Sequence, residues 1–357
     1  MQFYVGSNNE DAGSGLRLLD YEVSSGRIAE VRRVEDAKNP IYFAPSPDGR
    51  TLYVAEDVAA HAASPDPALP GGISRFEVAP DGSLRRVQSL ALAKTVPCHV
   101  SVSPDGLVVF WAEYRNGTCG SLEVGPGGAL SPVSRFKHEG QVGPNAARQE
   151  APHCHWAGLG PDGRTAWVCD LGLDRVKAYA LGGESPAAMA PLPERDFIAP
   201  PGTGPRHIAF LPGTDLGFLV TELSSEIFFL RFPEGGAPEI LDRKSLLPDG
   251  FSGQTKAAAV KISPDGAWVL ASNRGHDSVA AFRIDREAGR LVVGARSKLG
   301  GPFPRDFAFS PDGSLCVLGH KLAGEVAMYR FDSATGALSQ IPGATFAMPK
   351  PLVFLWR

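Results

Sequence analysis

The sequence lacks the features that mark several large classes of protein. Its net charge is −4 and it has no cluster of Lys and Arg, so no nucleic-acid partner is expected. No stretch approaches the roughly 20 apolar residues that a membrane-spanning helix needs, and the N-terminal segment has no secretion-signal pattern. We therefore expect a cytoplasmic protein with no membrane partner, present as a monomer or a weak homo-oligomer.

Cysteine is scarce, and several catalytic motifs are missing. The five cysteines are scattered without a CxxC pair, which predicts neither a disulfide framework nor a zinc knuckle. The sequence also has no GxSxG, HExxH or P-loop motif, and no GxGxxG in a dinucleotide-binding context. We expect reduced thiols, no metal and no cofactor.

Turn-forming residues, in contrast, are abundant and regularly placed. The tetrapeptide SPDG starts at residues 46, 103, 263 and 310, with the variants GPDG at 160 and LPGTD at 211. Each copy lies between two short apolar runs, as in HVSVSPDGLVVFWAEY. Proline presets φ, aspartate bonds the nearby backbone and glycine accepts a positive φ, so each copy predicts a β-hairpin.

The repeat has the length of a four-stranded unit. Each hairpin is followed by a third segment such as SVAAFRID or RVKAYAL and then by a short fourth one. A period of about 50 residues is typical of propellers, whereas a sandwich or barrel does not predict it. We predict an all-β seven-bladed β-propeller with four-stranded antiparallel blades, forming one domain over residues 1–357. Six hairpins are visible, and QFYVGS and PLVFLW, near the two chain ends, are expected to pair and close the ring as the seventh blade.

Charged departures from the repeat occur at corresponding places in the blades. PCHV, PHCH, GPRH and PRDF lie at the start of a first strand, and DLGLD, TELSSE and SNRGHDS follow a second strand. Adjacent antiparallel strands bring these two sets to the same edge of a sheet. We expect that edge to form the site, at one mouth of the central channel. The candidates are His99, His153, His155, Arg206, His207, Arg305, Asp170, Glu222, Asn273 and Arg274.

Structural roles remain open for several of these candidates. Arg206 and Arg274 suit recognition of an anion, although each could instead form an ion pair between blades. Glu222, at the end of an apolar strand, is a candidate general base or the partner of Arg206 in a salt bridge. Asp170 could simply cap its turn.

Taken together, the motifs RQEAPHCH, DLGLDRV, GPRHIAF, TELSSE and SNRGHDSVAAF resemble the lactonase family of seven-bladed propellers, which includes 6-phosphogluconolactonase and carboxy-cis,cis-muconate cyclase. The likeness spans nearly the whole chain. It implies a metal-independent site whose functional residues fall on His153, Arg206, Glu222 and Arg274. The sequence departs from the family at Glu113, where an Asn is usual, and in the opening segment SNNEDAGSG, which lacks a Tyr-Thr pair.

The resemblance leads to three hypotheses about function. The first is hydrolysis of a small anionic sugar lactone such as 6-phosphogluconolactone, with His153, Glu222, Arg206 and Arg274 catalytic. His99, His155, His207, Arg305, Asp170 and Asn273 would then contact the substrate. The second is a lactonising enzyme or isomerase that acts on a muconate-type carboxylate. The third is a non-catalytic scaffold that binds a protein partner.

Overall fold

The strands of this chain form seven antiparallel sheets, each with four strands along its main path. The computed structural model describes residues 1–8, 15–62 and 66–357. The sheets are the blades of the all-β seven-bladed propeller that the repeats predict. The contacts divide the chain into two compact units, so the single domain over residues 1–357 stays a prediction.

The first unit comprises Met1–Arg33, Arg206–Phe232 and Glu239–Arg357. Its first blade is formed, in sheet order, by β29 (Pro351–Trp356), β1 (Gln2–Ser7), β2 (Leu16–Glu22) and β3 (Arg27–Val34). The other three blades are formed by β17 (Pro205–Phe210), β18 (Leu216–Thr221), β19 (Glu226–Arg231) and β20 (Glu239–Ser245); by β21 (Lys256–Ile262), β22 (Trp268–Arg274), β23 (Ser278–Asp285) and β24 (Arg290–Lys298); and by β25 (Pro304–Phe309), β26 (Leu315–His320), β27 (Glu325–Asp332) and β28 (Ala337–Ala347).

The second unit comprises Val34–Pro205 and Pro233–Pro238, and it holds three blades. They are formed by β4 (Tyr42–Pro45), β5 (Thr51–Asp57), β6 (Gly71–Val78) and β7 (Leu84–Ala93); by β8 (His99–Val102), β9 (Val108–Glu113), β10 (Thr118–Val124) and β11 (Leu130–Lys137); and by β12 (Cys154–Leu159), β13 (Thr165–Asp170), β14 (Arg175–Leu181) and β15 (Met189–Pro191), with β16 (Phe197–Ile198) also pairing with β14. In the part of the chain that the structure describes, 3₁₀ turns occur at Pro126–Gly128 and Pro193–Arg195.

Each repeated turn closes the first hairpin of its blade as the sequence predicts. In the first copy the Gly49 N–H donates to the Ser46 carbonyl at 2.9 Å, and Gly49 has φ +68°. The Asp48 carboxylate accepts from the Ser46 hydroxyl at 2.5 Å and from the Arg50 N–H at 3.0 Å. These bonds, the serine hydroxyl first, lower the pKa of Asp48. The same glycine conformation recurs at Gly106, Gly163, Gly213, Gly266 and Gly313.

The chain termini share one blade. β29 pairs antiparallel with β1, with Phe3 opposite Trp356 and Val5 opposite Phe354. These two strands coincide with the segments PLVFLW and QFYVGS. The predicted closure through terminal strands is therefore confirmed.

Apolar side chains pack between neighbouring blades within each unit. In the first unit, Phe218 and Phe229 are fully buried and stack at 4.9 Å, in a cluster that also includes Val269 and Phe282 of the next blade. Burial on both faces explains why much of each second strand, such as FLV in β18 and WVLA in β22, reads as a continuous apolar run rather than an alternating one. No helix in the described residues is long and apolar enough to cross a bilayer.

Candidate active site

Three charged side chains meet at one edge of two neighbouring blades in the first unit. Arg206 is the second residue of β17, Glu222 directly follows β18, and Arg274 is the last residue of β22. β17 and β18 are neighbours in one sheet, so the start of one lies beside the end of the other. The repeat therefore places Arg206 and Glu222 together, as the sequence predicts.

A single carboxylate oxygen joins the two guanidinium groups. Arg206 Nε lies 2.9 Å from Glu222 Oε2, and Arg274 Nη2 lies 2.8 Å from the same atom. The side chains of Arg206, Glu222 and Arg274 are 2%, 4% and 7% exposed. Ion pairs excluded from water to this extent are screened far less than pairs on the surface.

Backbone carbonyls of β21, in the same blade as Arg274 and the blade next to Arg206, fix both arginines. Arg206 Nη1 donates to the Ala258 carbonyl at 2.5 Å, and Arg274 Nη2 donates to the Ala257 carbonyl at 2.5 Å. The Arg274 guanidinium also lies over the Phe303 ring, 5.2 Å from its centroid. The cluster is thus held in place before any ligand arrives, as electrostatic stabilisation of a reacting group requires.

His153 is held by different partners in the second unit. Its ring stacks on Tyr114, with centroids 4.2 Å apart and planes 3° apart, and Nδ1 lies 2.9 Å from the Tyr114 carbonyl. Only an N–H can bond to a carbonyl, so Nε2 is the ring atom able to accept a proton. Glu150 Oε1 lies 3.2 Å from Nε2, but outside hydrogen-bond geometry. The Glu150 N–H, and then His153, lower the pKa of the Glu150 carboxyl.

The predicted contacts His99 and His155 lie in the interior of the second unit. His99 is 3% exposed, and its ring lies 4.5 Å from the Tyr42 ring. His155 Nδ1 lies 3.9 Å from Cys98 Sγ, and the ring meets Tyr114 edge-on at 5.5 Å. Their contacts with substrate stay predictions.

Asp170 and Asn273 make bonds that stabilise the turns after their strands. Asp170 Oδ1 accepts the backbone N–H groups of His153 at 2.8 Å and Leu173 at 3.0 Å. The Asn273 amide donates to Ser225 Oγ at 2.9 Å, and its oxygen accepts from the Thr255 hydroxyl. A structural role accounts for all of these bonds, and substrate binding by either residue stays a prediction.

His207 and Arg305 lie near the beginnings of β17 and β25. His207 directly follows Arg206 and is 8% exposed, while Arg305 is half-buried. Side chains of consecutive strand residues point to opposite faces, so His207 and Arg206 do not share a face. Their assignment to substrate binding also stays a prediction.

The sequence departs from the family pattern at Glu113 and in the opening segment, and the structure describes the surroundings of Glu113. Glu113 is fully buried and accepts from the Thr95 N–H at 2.7 Å and from Asn116 at 2.7 Å, so it organises its own blade. Within the opening segment SNNEDAGSG, residues 9–14 lie outside the described residues.

Tyr114 and Glu150 are neighbours of His153 that were not among the residues predicted from the sequence. Glu150 lies inside RQEAPHCH, three residues before His153, and could have been found from that spacing. Tyr114 comes from the preceding blade, 39 residues away along the chain, and no local pattern links it to His153.

Comparisons with known proteins agree with this architecture. A family model described as "Lactonase, 7-bladed beta-propeller" matches residues 2–356. A 6-phosphogluconolactonase of Bacillus subtilis is 30% identical over 352 residues, which cover 98% of this chain and 96% of that protein. The solved structure of PpgL, a periplasmic gluconolactonase of Pseudomonas aeruginosa, is 27% identical and has a TM-score of 0.88 over 99% of this chain and 98% of that one.

A crystal structure of a protein from Lactobacillus plantarum, 24% identical, has a TM-score of 0.87 over 99% of this chain and 98% of that one. That likeness shows the shared fold alone. The chain belongs to the lactonase family of seven-bladed β-propellers, and by class it is a lactonase, a hydrolytic enzyme.

Proposed function

We propose that this enzyme opens a small anionic sugar lactone, most favourably 6-phosphogluconolactone or a related aldonolactone. The observation that carries this proposal is the sharing of Glu222 Oε2 by the buried guanidinium groups of Arg206 and Arg274. Planar guanidinium groups bind phosphate and carboxylate through paired N–H donors. The similar Bacillus subtilis protein is named for the phosphorylated lactone, and the Pseudomonas aeruginosa protein for the unphosphorylated one.

In the proposed reaction, water adds to the lactone carbonyl, the ring C–O bond breaks, and the ring oxygen leaves as a hydroxyl after taking a proton. Arg206 and Arg274 bind the anionic group and stabilise the negative charge that develops on the carbonyl oxygen. Removing one such donor from an enzyme typically lowers kcat by about 10²- to 10³-fold. Glu222 orients both guanidinium groups.

Either Glu222 or His153 activates the water. A carboxylate bound to two guanidinium groups is a weak base, because both positive charges favour its ionised form. This favours an orienting role for Glu222. His153, whose Nδ1–H bonds to a carbonyl, has its basic atom fixed at Nε2.

A matched pair of substrates tests the proposal. Glucono-1,5-lactone and its 6-phosphate differ only in the anion, so their kcat/KM ratio measures recognition of phosphate. We expect hydrolysis of both, followed by pH-stat, with the phosphorylated lactone preferred and that preference lost in Arg274→Ala. Carboxymuconate, followed by ultraviolet absorbance, is included to test the lactonising alternative. Failure of the wild-type enzyme to open either sugar lactone would overturn the proposal.

A further inference from the structure

A second cluster of chemically reactive side chains lies in the second unit, beside His153 and Asp170 but made of residues to which no role was assigned above. Cys119 belongs to β10, His138 directly follows β11, and Cys154 begins β12. One sulfur or ring-nitrogen atom from each of these residues lies within 4.8 Å of the other two. All three side chains are buried among the apolar residues that pack these two blades together.

We propose that Cys119, His138 and Cys154 bind one thiophilic metal ion, Zn²⁺ or Cu⁺, that ties the two blades together. Two sulfur ligands and one imidazole suit these cations and disfavour Mg²⁺ or Ca²⁺, which prefer oxygen. Nothing in the sequence spacing predicts the site, because its ligands come from three separate segments of the chain.

The distance between two of the ligand atoms fits a tetrahedral ion. Cys119 Sγ lies 3.5 Å from His138 Nε2. Zn–S and Zn–N bonds at a tetrahedral angle would place these two atoms about 3.6 Å apart. Tyr179 supplies an oxygen 2.9 Å from the same nitrogen, close enough for the fourth position.

The histidine is oriented as metal-binding histidines usually are. His138 Nδ1 lies 2.7 Å from Asp170 Oδ2, so the ring donates its Nδ1–H to a carboxylate and directs Nε2 at the two sulfur atoms. Such carboxylate–histidine pairs fix the tautomer and increase the basicity of the ligand nitrogen. This bond gives Asp170 a function that its turn-capping bonds alone do not explain.

The site is also linked to His153. Asp170 Oδ1 accepts the His153 N–H at 2.8 Å while Oδ2 accepts from His138. The ion would therefore stabilise the strand start that carries His153, without itself contacting the substrate.

Metal analysis of the complete protein is the direct test. Protein made in zinc-supplemented medium and purified under reducing conditions without chelator is expected to contain about one equivalent of zinc, or of copper when copper is supplied instead. Absorption spectroscopy at the metal edge should report two sulfur ligands and at least one imidazole. Removal of the ion by a strong chelator should lower the Tm, and adding it back should restore the Tm.

Matched cysteine variants locate the site. Protein refolded with Co²⁺ should show thiolate-to-cobalt charge-transfer bands in the wild type and in Cys316→Ser, because Cys316 is a buried free cysteine of the first unit, outside the cluster. Cys119→Ser and Cys154→Ser should lose these bands. Folded wild-type protein that takes up no zinc, copper or cobalt would overturn the proposal, as would bands that persist in both variants. The wild-type measurements remain decisive if a variant does not fold.

Discussion

At the scale of single residues, Glu222 fixes the orientation of the two arginines of the proposed anion site. Two arginines attached to one carboxylate cannot swing toward solvent, and each is also bonded to a backbone carbonyl. Preorganisation of this kind strengthens the interaction with the transition state, because little reorientation remains to be done during the reaction. It also makes the cluster sensitive to loss of any one member.

Substitutions at Glu222 and His153 should distinguish orientation from base catalysis. We expect His153→Asn to lower kcat by about 10²- to 10⁴-fold with little change in KM, as loss of a general base does. Glu222→Gln should mainly raise KM, because the two guanidinium groups lose their shared anchor. Steady-state kinetics on the phosphorylated lactone measure both. The reverse pattern would assign the base to Glu222.

Arg274 offers a test of geometry at constant charge. Arg274→Lys retains the positive charge but loses the planar pair of donors, so we expect kcat/KM to fall nearly as far as in Arg274→Ala, by roughly 10²-fold. Thermal unfolding of both variants controls for the loss of a buried ion pair. Full activity in the lysine variant would mean that charge alone matters.

His320 should make stability depend on pH. It is fully buried, with Nε2 2.8 Å from the Tyr329 hydroxyl, and burial lowers its pKa. Below about pH 6.5 the unfolded chain binds a proton that the folded chain does not, so stability falls as pH decreases through this range, by up to about 1.4 kcal/mol per pH unit. Urea unfolding between pH 7.5 and 5.5 should show a steeper loss in the wild type than in His320→Gln. Equal slopes would contradict the assignment.

The residue scale is also where sequence reasoning was least complete. It placed Arg206 and Glu222 together because the repeat puts the start of one strand beside the end of its neighbour. It could not show that Asn273 is held by Ser225 and Thr255, since those bonds depend on loops without a pattern. The Cys119–His138–Cys154 cluster was missed because its members come from three separate segments of two blades, which no sequence spacing connects.

At the scale of elements, the repeated turn was the most informative signal. A proline, an aspartate and a glycine at fixed positions specify a local conformation that needs no tertiary contact to be recognised. The third strands were equally predictable: SVAAFRID and RVKAYAL are β23 and β14 to the residue. The short β16 was not predicted, because a two-residue strand carries no periodicity.

Two glycines of the second unit should respond differently to alanine. Gly163 has φ +66° and open space around it, so Gly163→Ala should cost about 1 kcal/mol of unfolding free energy and Gly163→Asn less. Gly120 has an ordinary φ, but a Cβ there would collide with the Ser134 carbonyl and the Trp111 ring. Gly120→Ala should therefore cost more than Gly163→Ala, as measured by denaturant unfolding. Equal losses would show that space around Gly120 is not limiting.

At the scale of the whole molecule, six repeated turns predict six blades, and the two terminal strands predict the seventh. Six turns could be counted in the sequence, and the seventh blade required two distant apolar segments to be recognised as one unit. The division of the contacts into two units could not be predicted, because every repeat has the same pattern and none signals a boundary.

Removal of the last strand should lower the stability of the protein far more than the small number of lost residues suggests. A chain ending at Lys350 loses Leu352, Val353 and Phe354, which are at most 5% exposed, and leaves β1 as an unpaired edge. We expect a lower Tm and concentration-dependent aggregation, measured by scanning calorimetry and light scattering. A chain lacking only Arg357 is the matched control and should behave as the wild type. A stable, monomeric protein ending at Lys350 would show that closure is dispensable.

The pairing of β1 with β29 also means that this sheet cannot be completed until the end of the described chain has been synthesised. During translation the first strand emerges long before its partner has been made, and at roughly 5–20 residues per second the wait is on the order of 20 to 70 s. During that interval the hairpin of β1 and β2 exposes Phe3 and Val5 on a strand whose second edge is unpaired. A chaperone that binds exposed apolar strand edges would therefore have a site at Phe3 and Val5 until the synthesis of Pro351–Trp356 completes this sheet.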